Sequence, residues 1–197
     1  MFSRLSGVAF ALCAAAALAA PGGPALAGPI ADGATQAEQA IASGDSQTAI
    51  AAFDGATDAF WSAIPLAFRV ATFATGVSGF GQYTPVSDAT FHAGDGVTIY
   101  LEPVGYGFLP ADGGSGYTVR YQTGLEIRTP GGLVLGKTDA FGTAEWTGQA
   151  KNHEVQASVS VTLPAALKPG SYLLLLTLTD AATQKQATAT LPFTIAE

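Results

Sequence analysis

Tyr172-Leu173-Leu174-Leu175-Leu176-Thr177-Leu178-Thr179, a short polar connection at Asp180–Gln184, then Ala187-Thr188-Ala189-Thr190-Leu191-Pro192-Phe193-Thr194-Ile195: two extended runs across one turn decide the fold. The second run alternates small or polar residues with Leu191, Phe193 and Ile195, the period-two signature of a half-buried strand. The first is apolar on both faces over Leu173–Leu176, which predicts a central strand covered on each side. Working backward, Val155, Ala157, Val159 and Val161 share one face against Gln156, Ser158, Ser160 and Thr162. Tyr117 to Arg128 alternates with a break at Gly124, and Val97-Thr98-Ile99-Tyr100-Leu101 alternates before Glu102-Pro103. Turn chemistry punctuates these runs at Ala93–Gly96, Asp112–Gly116, Pro130-Gly131-Gly132 and Lys168-Pro169-Gly170. Short strands at this spacing, without helices between them, predict a mainly β chain: an antiparallel immunoglobulin-like β-sandwich of seven to eight strands over 66–197.

Upstream of Leu66 the period changes. A first short helix is expected over roughly Ala34–Ala42, stopping at Ser43-Gly44, and Asp45 or Ser46 caps a second. Ile50, Phe53, Phe60, Trp61 and Ile64 fall near one face before Pro65 ends the helix. The region 28–65 therefore reads as an αα-hairpin docked on the sandwich, with Phe60 and Trp61 as its anchor. Gly44-Asp45-x-x-x-Ala49-Ile50-x-x-Phe53-x-x-Ala56 resembles the middle of a tetratricopeptide repeat. It covers half a repeat without a second copy, so a superhelical groove is not expected.

The first 27 residues carry a secretory pattern. Arg4 gives a positive start, Leu5 to Ala20 is apolar, Pro21-Gly22-Gly23-Pro24 breaks the run, and Ala25-Leu26-Ala27 offers small residues before Gly28. Cleavage there gives a signal peptide over 1–27 and a periplasmic or secreted chain with no membrane span. Cys13, the sole cysteine of 197 residues, lies inside the leader behind Leu12, where a lipoprotein site would need a small residue. The remaining chain must hold without a disulfide, so it needs a full hydrophobic core. Loss of Arg4 leaves 7 cations against 15 anions. Sparse, scattered cations exclude nucleic acid as a partner, since phosphate contacts need a clustered basic face.

Three segments resemble a group of uncharacterised bacterial secreted proteins with a C-terminal immunoglobulin-like sandwich. They are Gly79-Phe80-Gly81-x-Tyr83-x-Pro85 with Phe91-x-x-Gly94, then Tyr100-x-Glu102-Pro103-x-Gly105-Tyr106, and finally Leu167-x-Pro169-Gly170-x-Tyr172-x-Leu174 closed by Leu191-Pro192-Phe193-x-Ile195. Val86 stands where that group favours a basic residue, so no anion-binding role is carried onto it. The resemblance implies fold and compartment, and no activity.

Motifs for catalysis are sparse. Gly113-Gly114-Ser115-Gly116-Tyr117 misses the last glycine of a nucleophile elbow. No phosphate-cradling loop appears, and Gly79-Phe80-Gly81 lacks the rest of a dinucleotide fingerprint. His92 and His153 have no His or Cys at ligand spacing and read as solvated surface residues, so neither metal nor cofactor is expected. Glu102 with Glu126 or Glu145 offers the paired carboxylates of a small cell-envelope hydrolase. The reading favoured over that one is a non-enzymatic module, using one end of the sandwich or an edge strand to hold an unidentified envelope protein or polymer. Its candidate surface is the aromatic group Tyr83, Tyr100, Tyr106 and Tyr117, with Glu102 and with Arg69 as that acid's partner.

Overall fold

The computed structural model describes residues 28–197; the signal peptide expected over 1–27, with Cys13, lies outside the described residues. Two helices, α1 (Pro29–Ser43) and α2 (Ser46–Ala63), precede ten strands. Seven are long: β1 (Ala67–Gly79), β4 (Gly96–Val104), β6 (Tyr117–Arg128), β7 (Val134–Gly148), β8 (Ala157–Thr162), β9 (Gly170–Asp180) and β10 (Gln186–Ile195). Three are short additions: β2 (Gln82–Pro85), β3 (Thr90–Phe91) and β5 (Leu109–Pro110). One sheet runs β2-β1-β4-β8; the other runs β3-β10-β9-β6-β5, with β7 on the remaining edge of β6. Every pairing is antiparallel except β10 with β3.

Alternation builds the core. Ile99 and Leu101 of β4, Val159 and Val161 of β8, Leu174, Leu176 and Leu178 of β9, and Leu191, Phe193 and Ile195 of β10 meet between the sheets. The chain is thus a mainly β sandwich preceded by a helical hairpin. β9 is central, between β10 and β6, but its outer face is not covered: Leu173 and Leu175 are only half-buried.

The hairpin packs differently from the sequence expectation. α1 begins at Pro29, whose missing N–H and fixed φ suit a first helical position, and ends on Gly44 in the left-handed region. Asp45 caps α2 by accepting from the Thr48 N–H at 3.1 Å. The two helices meet through small residues: Ala37, Ala40, Ala49 and Ala56 are buried, and a Cβ on Gly33 would come within 3.0 Å of Ala52 O and Ala56 Cβ. Close approach of backbones puts alanines inside and turns the large side chains out. Ile50, Phe53 and Phe60 are therefore exposed, and of the two expected anchors only Trp61 is buried.

That anchor is a compact junction. The Trp61 ring meets Tyr106 edge-on at 5.2 Å, and Tyr106 in turn meets Phe108 and Tyr121. Gly105, at φ +78°, lets the chain pass the link between α2 and β1; a Cβ there would sit 2.4 Å from Pro65 O. Lys185, from the β9–β10 connection, donates its ammonium to Ser62 O (2.9 Å), Ile64 O (2.6 Å) and Gly105 O (3.2 Å). α2 has no basic residue in its own last turn, so this distant cation satisfies its orphan carbonyls and its dipole. Lys185→Met should lower stability by about 2 kcal/mol, the scale of hydrogen bonds to a charged donor. In a Trp146→Phe background, denaturant melts followed by Trp61 emission and by far-ultraviolet dichroism should separate, the hairpin releasing before the sheets. Coincident, unshifted melts would remove Lys185 from this role.

Candidate functional site

The six residues singled out by sequence divide into two places. On β4, Ile99 and Leu101 point into the core, so Tyr100 and Glu102 face outward from the four-stranded sheet. They are nonetheless buried, because the β1–β2 hairpin folds across them. The Tyr83 ring stacks on Tyr100 at 3.9 Å and 21°, and the Gly81 N–H donates to the Tyr100 hydroxyl at 2.7 Å. That hydroxyl donates to Glu102 Oε1 at 2.8 Å. Burial, reinforced by the Glu102 bond, pushes the Tyr100 phenol up to about 12. The group is a lock under a lid rather than an open ligand platform. Arg69 does not pair with Glu102 as expected. It stands exposed at the irregularity between Phe68 and Val70 of β1, and its charge acts on Tyr106 instead.

Tyr106 and Tyr117 lie at the hairpin junction. Tyr106 is buried and donates its hydroxyl to Asn152 O at 2.7 Å, so it is core, not surface. Tyr117 meets Phe108 edge-on at 6.0 Å and borders a cleft of about 460 Å³ with Asp54, Thr57, Asp58, Lys151 and His153. His153 is not the solvated residue expected: its ring lies 4.5 Å from Trp61, and its Nε2 lies 3.4 Å from Asp58 Oδ1. Lys151 reaches Asp58 at 2.6 Å and lies over the Phe108 ring. This cleft joins α2 to the Gln149–Glu154 connection.

The candidate carboxylates do not converge. Glu102 faces out of one sheet, while Glu126, flanking core-facing Leu125 and Ile127, faces out of the other. Glu145, opposite Arg120 and between Ala144 and Trp146, which pack on the core, faces out of that second sheet too, so neither possible partner shares a face with Glu102. Each of the latter two is bound by its own arginine, Glu126 by Arg128 and Glu145 by Arg120. That bond holds the Glu126 carboxyl below its ordinary value. Among the described residues no group of three or more His, Cys, Asp or Glu side chains is placed to hold a metal ion.

What the sequence reading missed is β7. Its first ten residues are exposed on both faces, and among the described residues it pairs only with β6. Leu133 just before it, and Val134, Leu135 and Phe141 along it, are exposed. Beside its beginning lies an apolar pocket of about 410 Å³ lined by Ile127, Leu135, Pro164, Ala166, Leu167 and Tyr172. Farther along, Asp139–Phe141 bulge out opposite Gly124, and Lys137 pairs with Asp139 at 3.0 Å.

No family model and no curated protein matches the chain. Among solved structures it is similar to the C-terminal domain of wzt, at 12% identity and a TM-score of 0.38 over 70% of this chain and 77% of that one. It is also similar to a family 123 glycoside hydrolase from Clostridium perfringens, described for glycolipid glycan hydrolysis, at 10% identity and a TM-score of 0.38. There the match covers 67% of this chain and 27% of the hydrolase. Likenesses of this degree carry no functional argument.

Two measurements test these assignments. Tyr100→Phe leaves the Gly81 N–H and Glu102 without their shared partner and should cost about 1–3 kcal/mol in urea unfolding; an unchanged midpoint would contradict the lock. Burial holds the His153 imidazole below its ordinary 6.5, with Asp58 opposing and Lys151 assisting. The unfolded chain then binds this proton better, so the contribution is full above 6.5 and is lost as pH falls through the folded value. The melting temperature should drop more steeply from about pH 7.5 to about 5 in the native protein than in His153→Gln. Parallel profiles would show that His153 does not report on the junction.

Proposed function

We propose that the chain is a periplasmic or secreted binding module, not an enzyme, that takes an extended segment of an envelope protein alongside β7. The observation that carries this reading is the open start of β7 next to an apolar pocket. Edge strands are normally blunted by charge, bulges or a covering element. The middle of β7 has such protection in the Lys137–Asp139 pair and the adjacent bulge. Leu133–Leu135 has none: Leu133 is bonded back to Thr129 and Val134 is paired with Arg128, but the edge away from β6 has no neighbouring strand among the described residues, and its apolar side chains are exposed. An added strand gains affinity from main-chain hydrogen bonds and selectivity from alternate side chains entering a pocket. Hydrolysis by Glu102 with Glu126 or Glu145 draws no support from their placement on separate faces and strand positions.

A photoreactive residue at position 135, introduced in the producing cell envelope, should cross-link a polypeptide. Leu133→Lys with Val134→Lys should remove that adduct by about tenfold, the scale of one or two lost apolar contacts, without changing the melt. Equal cross-linking from position 83, or an adduct indifferent to the lysines, would refute recognition at β7.

A further inference from the structure

The hairpin carries a second open surface. Ile41, Ile50 and Phe53 are 69%, 57% and 61% exposed. They line a groove of about 440 Å³ between α1 and α2, floored by Ala37 and Ala49 and edged by Asp54. Nothing in the sandwich covers it, since the hairpin is held only at the C-terminal end of α2. Charge distinguishes this groove from an ordinary apolar patch. Residues 28–66 contain Asp32, Glu38, Asp45, Asp54 and Asp58, and no Lys, Arg or His. All seven cations after residue 28 belong to the sandwich.

We infer that this groove docks a cationic amphipathic helix of a partner protein. A helix laid between α1 and α2 presents apolar residues at spacings of three and four to Ile41, Ile50 and Phe53, while a lysine or arginine beside them meets Asp54 on a hairpin that carries no cation of its own. A second copy of this chain fits less well, because its hairpin would set another Asp54 against this one and bring no cation to the seam. The site is separate from β7 and stands whether or not that edge binds a strand.

The probe is a labelled Leu/Lys amphipathic helix of about 18 residues, five turns, titrated into the protein and read by anisotropy. Saturable binding is expected, at least about tenfold tighter than for a scrambled peptide of the same composition or a Leu/Glu helix. Phe53→Ser and Ile50→Ser should each weaken it about tenfold, and Asp54→Asn several-fold with a flatter salt dependence. Because these side chains are exposed, melting and tryptophan emission should not move. Absence of binding, or equal binding by Phe53→Ser, would overturn the proposal. So would a wild-type dimer in sedimentation that Phe53→Ser dissociates, which would give the face to a second copy.

Discussion

The wholly buried carboxylate of Asp180 is the constraint on which the assembly of hairpin and sandwich rests. One of its oxygens accepts from the Gly107 N–H, the Thr183 N–H and the Thr183 hydroxyl. A charge taken out of water is tolerable only with such a set of donors. Those donors belong to the β4–β5 connection and the β9–β10 turn, so the carboxylate ties two loops together at one end of the sandwich. The turn is closed further by Asp180 N–H to Lys185 O at 2.9 Å. Lys185 is thereby aimed at the end of α2, and Gly105 at the link beneath it. A buried acid in the sheets thus determines where the helices attach.

Attachment at one end has consequences for everything beyond it. Trp61, Asp58 and the carbonyls of Ser62 and Ile64 are engaged, while the rest of the hairpin stabilises itself through its alanine seam. A seam of alanines and one glycine gives close backbone approach but little buried area per residue. The larger apolar side chains are consequently free of the fold's own needs. The same holds for β7: Trp146 and Ala144 pack on the core near its end, whereas its first ten residues add nothing to that core. Both open surfaces are extensions whose exposure the core does not require.

The sandwich was legible wherever one strand face is buried. Val155–Val161, Tyr172–Thr179 and Ala187–Ile195 alternate because water lies on one side and leucines on the other. β7 escaped because both its faces meet solvent, which erases the period; Pro130-Gly131-Gly132 was the remaining sign of a hairpin. The outer leucines of β9 misled in the opposite sense, since apolar residues on a sheet surface need not be covered. In the hairpin the period was read correctly and its direction wrongly: small residues, not large ones, mark the seam when backbones approach closely. Of the site residues, Tyr83, Tyr100 and Glu102 do gather, but as a closed lock. Tyr106 went to the core and Arg69 to the surface, because periodicity gives a residue's face and not what folds over it. His153 became half-buried through Trp61, a contact spanning 92 positions that no local pattern encodes.

Neither open surface is large enough to bind tightly alone. Burying Ile41, Ile50 and Phe53 would contribute on the order of 1.5–3 kcal/mol each, against an association cost of at least about 4 kcal/mol and often far more. A few residues added to β7 face the same arithmetic. On one chain the two need not act alone, because a partner carrying both an extended segment and a basic helix would meet the second surface at an effective concentration set by its linker. Weak sites joined in this way give selective binding that remains readily reversible. The junction at Trp61, Lys185 and His153 is then more than a support, since it fixes the relation between the surfaces that such a partner must span.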